Sequence, residues 1–559
     1  MKLLLLLTAI FFALNATKLP DDETLKKEIG RMLVVGFNGQ SINKKSQILK
    51  DIKKYNLGGV ILFDKFYKNR TRTKNISSST QLQNLSTQLQ KISQKPLIIS
   101  IDQEGGKVAR LKPYYGFSKI PSAFEVAQGT QKSASRVYEK QSKMLQVAGI
   151  NTNFAPVVDL AINPKNRVIV GLERSFSKES KKVVAFAKIV IEEQSKAGII
   201  SVLKHFPGHG SSLEDSHKGF VDISKTWSKK ELEPYIQLID ANMVDMIMSA
   251  HVFNSKLDKK YPATLSYNIN TKLLRNELGF KGVIISDDMQ MRAISEQYSL
   301  KESLTLAINA GVNILLFGNQ LAQNSVKELV NIIFSGVKNG TIKYENIKSS
   351  NTKIENLHTK NSIIQKPIIF KDERIKLTKE YIKTHYGLNV KSIEIEPKSI
   401  VLHWTAIMAF EKCFKRLNAQ KLYTDRADIA NASLLNVSSH FLVDRDGTIY
   451  QLMPENIMAR HVIGLNYSAI GIENVGGENN EIEDLTKAQL EANIKLVKYL
   501  KQKYPKIEYL LGHHEYQNMQ KSSLWLEKDA NYRTQKADPG EKFMSRVRVA
   551  VEKLHLKRP

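Results

Sequence analysis

Short apolar runs recur eight times in the first part of the chain, and polar and apolar stretches of helical length separate most of them. The runs cover residues 32–37, 58–63, 96–101, 153–158, 199–203, 246–250, 282–285 and 312–317. Buried strands that alternate with helices predict an α/β fold, and eight such units predict a (β/α)8 TIM-type barrel. A doubly wound open sheet is the alternative, but no phosphate-cradling glycine-rich turn follows the first run.

Polar residues at the carboxyl ends of these runs are the first candidates for chemistry, because a barrel places its active site there. They are Asp102, Asp159, Lys204, His205, His251, Asp287 and Asp288. The most informative stretch is KHFPGHG at 204–210, followed by DSH at 215–217. Each histidine alone could be an ordinary surface residue, but together with two glycines and a proline they indicate a polar loop of fixed shape.

Five motifs occur in one order: DQEGGKV at 102–108, RSF at 174–176, KHFPGHG at 204–210, DSH at 215–217 and SDDM at 286–289. This series resembles bacterial glycoside hydrolase family 3 β-N-acetylglucosaminidases over residues 22–350. The resemblance implies Asp287 as the nucleophile, with Asp288 as its rival, and His217 as general acid/base oriented by Asp215. It also implies a set of sugar-binding residues and no cofactor for the barrel. That set is Asp102, Arg110, Arg174, Lys204 and His205.

Two residues depart from the usual pattern of that family. Lys107 stands where arginine is usual, and Ser211 where aspartate is common. The implied acid/base is chemically sound, because an imidazole titrates near pH 6.5 and can donate and then accept a proton at neutral pH. Such a pair would replace one of the two carboxylates that retaining glycosidases usually employ.

The 559-residue chain is too long for the barrel alone, so a second domain is expected. Residues from about 336 to 372 are rich in Lys, Asn, Ser and Thr, and apart from a possible closing helix of the barrel we predict a linker region at 351–390. Strand-like runs and histidines return in residues 391–559, which we predict to form a smaller mixed α/β domain.

Four segments of this second domain carry candidate metal chemistry: SIVLHWT at 399–405, AIGIEN at 469–474, LGHH at 511–514 and KADPG at 536–540. Two histidines and a carboxylate at strand ends suit a catalytic zinc site, although each histidine alone is more often a surface or core residue. The set resembles zinc-dependent N-acetylmuramoyl-L-alanine amidases related to peptidoglycan recognition proteins, over about residues 390–550.

That second resemblance implies a Zn²⁺ ion held by His403, His513 and Asp538. It implies Glu473 as the residue that activates water and Lys536 as stabiliser of the oxyanion. His440 would line the cleft without binding metal. His514 is a competing ligand, and the insertion between His513 and Lys536, which contains Trp525, leaves substrate contacts there open.

The amino terminus predicts export. Met1 and Lys2 precede an apolar run at 3–14 and a small residue at Ala16, as in a secretory signal peptide over 1–16. An uncleaved membrane anchor is the alternative, but the run is shorter than the roughly 20 residues that span a bilayer. We therefore expect a periplasmic protein without stable membrane insertion once the signal is removed.

The formal net charge of +28 raises nucleic acid as a partner. The lysines are dispersed and no nucleic-acid-binding motif accompanies them, so we expect none. Peptidoglycan or its muropeptide fragments are the expected substrate, and the two resemblances together imply a bifunctional peptidoglycan hydrolase. The alternative is a β-hexosaminidase whose carboxyl-terminal module only docks on the cell wall.

Overall fold

The computed structural model describes residues 19–216, 219–430 and 432–559. The chain divides between Leu357 and His358 into two compact units. The first unit contains a closed barrel of eight strands, all paired in parallel and in sequential order. They are β1 Leu33–Gly36, β2 Gly59–Ile61, β3 Ile98–Ile101, β4 Thr152–Asn153, β5 Ile200–Phe206, β6 Met246–Ser249, β7 Val283–Asp288 and β8 Ile314–Phe317. The predicted fold class is confirmed.

Amphipathic helices share one hydrophobic core with these strands. Helix Val326–Lys338 shows why: Leu329, Val330, Ile333 and Val337 recur at helical spacing and are buried. The other α-helices are Asp22–Gly30, Gln47–Tyr55, Ser79–Ile92, Ala123–Val126, Gln131–Val147, Ser180–Lys196, Glu233–Asp240, Arg292–Ser295, Leu300–Asn309 and Tyr344–Ser362, with a π-helix at Asn268–Glu277. Within the described ranges, no helix is long and apolar enough to cross a bilayer.

The strands differ from the predicted runs in two informative ways. β4 ends at Asn153, whereas the sequence predicts a strand over 153–158. Residue Pro156 lacks the N–H that a continuing ladder needs, so the following residues are buried without regular pairing. β5 and β7 are longer than predicted, and the pairing of each shifts register near its carboxyl end, between Leu203 and Phe206 and between Ile285 and Asp288. Such bulges redirect side chains.

The second unit is built on a six-stranded mixed sheet in the order β14-β10-β13-β11-β12-β9. The strands are β9 Ile364–Gln365, β10 Ser399–Trp404, β11 Phe441–Val443, β12 Ile449–Gln451, β13 Ala469–Asn474 and β14 Tyr509–Gly512. All neighbours pair in parallel except β11 with β12. The α-helices are Asp372–Tyr381, Phe410–Asn418, Ala427–Ala430, Lys487–Lys503 and Glu541–Val551, with a π-helix at Ile382–Tyr386 and a 3-10 helix at His513–Lys521.

Alternation along β10 divides the core of this unit. Ile400 and Leu402 pack with the helices Lys487–Lys503 and Glu541–Val551, whereas Val401 belongs to a separate apolar cluster on the opposite face. Side chains two apart on a strand share a face. His403 therefore lies on the face of Val401.

The segment 351–390, predicted as a linker, is largely helical in the structure. Helices Tyr344–Ser362 and Asp372–Tyr381 occupy much of it. Leu377, Tyr381 and Tyr386 are buried in the core of the second unit. Leu377 and Tyr381, four residues apart, share one face of the α-helix, and Tyr386 lies in the π-helix that follows. The many polar residues around them make the segment resemble a linker in composition.

Candidate active sites

One cavity at the carboxyl ends of the barrel strands brings most of the predicted glycosidase residues together. We call it the barrel cavity, and its lining includes Asp102, Arg110, Arg174, Lys204, His205, Asp215, Asp287 and Asp288. The predicted general acid/base His217 lies outside the described residues. The bulge in β5 explains how neighbouring Lys204 and His205, which would point to opposite faces of a regular strand, both reach this cavity.

Buried and partly buried charges of both signs form pairs on the floor of the barrel cavity. Lys204 Nζ lies 3.0 Å from Asp102 Oδ1 and 2.7 Å from Glu104 Oε1. Arg174 donates two hydrogen bonds of 2.8 Å to Glu104. Burial alone would raise the pKa of Asp102, but the charges of Lys204 and Arg110 hold it well below its usual range. The floor is therefore a set of fixed, ionised groups suited to hydroxyl and amide recognition.

The His205 ring lies between the carboxylate of Asp159 and the guanidinium of Arg174. Its Nδ1 lies 2.7 Å from Asp159 Oδ2, and its Nε2 lies 3.2 Å from Arg174 Nη2. Glu104 and Asp159 thus complete the network, although the sequence motifs assign them no role. The sequence does contain a signal for both residues: Glu104 follows Asp102 by two residues, and Asp159 comes directly after an apolar run, at the strand ends where a barrel has its active site.

The two adjacent aspartates at the end of β7 are in different environments. Asp288 Oδ1 accepts hydrogen bonds from the backbone N–H groups of Gln290 and Gly318, both at 3.1 Å. Its own N–H donates to Asp287 Oδ1 at 2.8 Å. The Asp288 carboxylate therefore organises the turn after β7 and the start of the loop after β8.

A buried acid lies against the glycine-rich loop 207–212. Glu231 Oε2 accepts a hydrogen bond from the N–H of Gly210 at 2.9 Å. A Cβ at Gly208 would lie 2.8 Å from the same oxygen, so the loop and the carboxyl are in contact. Burial raises the pKa of Glu231 from 4.5 to about 7.

This pKa predicts a pH-dependent stability of the barrel. Folding takes up a proton at Glu231 between its unfolded and folded pKa values, so the free energy of unfolding falls as the pH rises through that window. Replacing Glu231→Gln removes the titration. Denaturant unfolding from about pH 5 to pH 8 should show the variant gaining up to about 3 kcal/mol relative to the wild type. A difference that stays constant with pH would contradict this interpretation.

The second unit presents a compact group of potential metal ligands. His403 Nδ1, His513 Nδ1 and Asp538 Oδ2 form a triangle with sides of 3.0, 3.0 and 3.2 Å. All three residues are buried. A tetrahedral zinc with bonds of about 2.0–2.1 Å would hold its ligand atoms about 3.3 Å apart, so these three residues fit such an ion.

Strand register produces this triangle. Leu402 on β10 pairs with Gly512, the last residue of β14, and the residue that follows each of them is a histidine of the triangle: His403 on β10, and His513 at the start of the 3-10 helix. The competing ligand His514 contacts the backbone carbonyl of Asp538 through Nδ1 at 3.0 Å. Among the described residues, the metal-ligating cluster contains His513 and excludes His514.

Glu473 and Lys536 line the same cavity as the triangle, which we call the second-unit cavity. Glu473 pairs with His403 in the register of β10 and β13, so their side chains share one face. Burial raises the pKa of the Glu473 carboxyl to about 7. A carboxyl that shares a face and a cavity with a metal site is placed to take up a proton from water.

One expectation for this unit, that His440 lines the cleft, is wrong. His440 is fully buried, and its ring nitrogens bond to the backbone of Gly471 and Ile457 at 2.9 Å, so it does not line the cleft. Trp525 stacks on Tyr516, with ring centroids 6.0 Å apart. The insertion that contains it therefore packs into the unit.

Comparisons with known proteins match both units of the chain. The family model for the glycosyl hydrolase family 3 N-terminal domain matches residues 24–357, and the N-acetylmuramoyl-L-alanine amidase model matches residues 384–541. The beta-hexosaminidase A of Pseudoalteromonas piscicida is 37% identical over 284 residues, which are 47% of this chain and 46% of that protein. The chain thus spans about half the length of that relative.

Two further proteins are similar to the barrel. The beta-hexosaminidase of Tolumonas auensis is 34% identical over 272 residues, covering 48% of this chain and 77% of that protein. A beta-N-acetylhexosaminidase structure from Beutenbergia cavernae covers 62% of this chain and 99% of its own, with a TM-score of 0.54 and 24% identity, which supports the fold. The predicted fusion is confirmed: the chain belongs to glycosyl hydrolase family 3, and its family 3 domain precedes a segment that matches the N-acetylmuramoyl-L-alanine amidase model.

Proposed function

We propose that the protein is a bifunctional peptidoglycan hydrolase. The barrel removes β-1,4-linked N-acetylglucosamine from non-reducing ends, and the second unit cleaves the amide between N-acetylmuramic acid and L-alanine. The observation that carries the proposal is the second-unit cavity, in which three metal-ligating atoms, Glu473 and Lys536 converge. A docking module would need none of these groups in one place.

In the barrel we propose a retaining mechanism with Asp287 as nucleophile. Asp288 is the weaker candidate because one oxygen of its carboxylate already accepts two backbone hydrogen bonds. Asp287 would attack the anomeric carbon and form a glycosyl-enzyme intermediate, which water then hydrolyses. The ionised groups of the cavity floor would hold the sugar during both steps.

Proton transfer in the barrel is assigned to His217. Asp215 lines the barrel cavity two residues before it, which supports a role for this loop beside the bound sugar. The imidazole would protonate the leaving oxygen and then deprotonate the attacking water, while Asp215 stabilises the imidazolium.

A leaving-group comparison tests this assignment. His217→Ala should slow release of sugar from natural disaccharides by about 10²–10⁴-fold, because their alkoxide leaving groups need protonation. Activated aryl glycosides should lose much less. Equal losses on both substrates would argue against a general-acid role.

In the second unit, His403, His513 and Asp538 would hold zinc. Zinc bound there would lower the pKa of a water molecule and polarise the scissile carbonyl. Glu473 would accept the proton from that water and pass it to the leaving amine. Lys536 would balance the negative charge that develops on the carbonyl oxygen.

We also propose that the protein acts outside the cytoplasm, in the periplasm. The support is the sequence alone: a lysine, an apolar run at 3–14 and a small residue at Ala16. The net charge of +28 would favour association with anionic wall polymers through long-range attraction.

The substrate class can be tested by analysing the products that the enzyme releases from muropeptides and from chitin oligosaccharides. Purified enzyme should release N-acetylglucosamine from muropeptides and stem peptide from the same molecules. If it acted on chitin oligosaccharides and merely bound muropeptides without shortening them, the docking alternative would replace this proposal.

A further inference from the structure

A third histidine, His461, lies directly behind the metal-ligand triangle. Its Nδ1 is 3.0 Å from His403 Nε2, the ring nitrogen of His403 that does not belong to the triangle. The two rings meet edge to face, with centroids 5.1 Å apart. The residue stands in none of the motifs that identify the site from sequence.

The hydrogen-bond direction follows from the next contact. His461 Nε2 lies 3.3 Å from the backbone carbonyl oxygen of Ala469, which can only accept. In the neutral ring, Nε2 therefore carries the hydrogen and Nδ1 accepts. His403 must then donate from its Nε2, which leaves the lone pair of its Nδ1 directed at His513 and Asp538.

The fold fixes the His461 ring from two sides. A Cβ at Gly471 on the neighbouring strand β13 would lie 2.7 Å from His461 Cγ, so the ring occupies the space that a side chain at Gly471 would need. Asn466 Oδ1 accepts hydrogen bonds from the backbone N–H groups of His461 and Val462, both at 2.8 Å. The acceptor nitrogen is thus set in place before any metal binds.

We propose that His461 is a positioning residue of the metal site, which fixes the ring orientation and the metal-binding tautomer of His403. Outer partners of ligand histidines are usually carboxylates, backbone carbonyls or water, and they raise metal affinity. Here a neutral histidine, itself oriented by Ala469, has that role. The inference rests on the proposed zinc amidase function.

Zinc affinity of the full-length chain, measured by competition with a chromophoric chelator, tests this role without relying on activity. His461→Leu keeps an apolar side chain in the core but removes the acceptor, and should weaken zinc binding about 10–100-fold. His461→Asn can place an amide oxygen near the position of Nδ1 and should restore most of the affinity.

His440→Leu is the matched control. His440 is a buried histidine of the same unit, but its ring nitrogens bond to backbone groups of Gly471 and Ile457. Its replacement should destabilise the unit while leaving the zinc affinity of the folded protein near the wild-type value. Circular dichroism and sugar release by the barrel measure the amount of folded chain in each preparation.

The outcomes separate the inference from the proposed function. Wild-type protein that binds no zinc would overturn both. Wild-type protein that binds zinc, with His461→Leu binding it equally well, would overturn only the role of His461. Equal weakening in His461→Leu, His461→Asn and His440→Leu would assign the effect to packing and also reject that role. If His461→Leu fails to fold, His461→Gln replaces it in the comparison. The glutamine side chain is one methylene longer than asparagine, so its amide oxygen misses the position of Nδ1. His461→Gln should therefore bind zinc more weakly than His461→Asn, and equal binding by the two would reject the role of His461.

Discussion

Asp287→Ala is expected to abolish release of N-acetylglucosamine, lowering its rate by roughly 10⁴-fold or more, because the substitution removes the nucleophile. Amide cleavage by the same protein should stay near normal, because the metal-ligand triangle belongs to the other unit. When both rates are measured on one preparation, amide cleavage therefore serves as the internal control for the loss of sugar release.

Asp288→Asn is the matched control for that experiment. An asparagine oxygen can still accept the hydrogen bonds that Asp288 receives from the backbone of Gln290 and Gly318. We expect the loss of sugar release to be much smaller than for Asp287→Ala. Wild-type sugar release by Asp287→Ala, or a complete loss confined to Asp288→Asn, would reverse the assignment.

Glu473→Ala should lower amide cleavage by about 10²–10⁴-fold, the usual contribution of a general base. It should retain zinc, because the triangle of His403, His513 and Asp538 remains intact. Asp538→Ala is the contrasting variant, since it removes a ligand and should lose both zinc and amide cleavage. Metal content by atomic absorption and peptide release by chromatography give the two readings.

A Glu473→Ala protein that cleaves the amide at the wild-type rate would reject its role as proton acceptor. Loss of zinc from that variant would instead make Glu473 part of the metal site. Sugar release should be unchanged in both variants, which shows that the barrel of each preparation is folded and active, and circular dichroism checks that the second unit is folded.

Much of the barrel and of both sites could be predicted from the sequence. Seven of the eight strands coincide with predicted apolar runs, and β4 meets its run only at Asn153. Residues at the ends of these runs, such as Asp102 and Asp287, line the barrel cavity. The reason is that parallel strands buried on both faces leave a continuous apolar signal, and their carboxyl ends meet at one edge. Alternation on β10 likewise directs His403 to the face of Val401, and His513 follows the end of the neighbouring strand β14.

Other features depend on contacts between distant segments and carry no local signal. Lys204 and His205 both face the barrel cavity, at the point where the pairing of β5 with β6 shifts register. The position of His461 behind His403 arises from the path of the chain before β13. Helix Asp372–Tyr381 was missed because its apolar face is narrow and its polar residues are many.

The most direct test of two independent hydrolytic activities is mass spectrometry of the products that the intact protein makes from purified muropeptides, with and without a metal chelator. Without chelator, we expect free N-acetylglucosamine, stem peptide and the remaining muramic acid sugar. With chelator, stem peptide should disappear from the products, and N-acetylglucosamine should still be released, since Asp287 and His217 are proposed to act without metal. Peptide release that persists in metal-free protein, or an intact amide under every condition, would contradict the account.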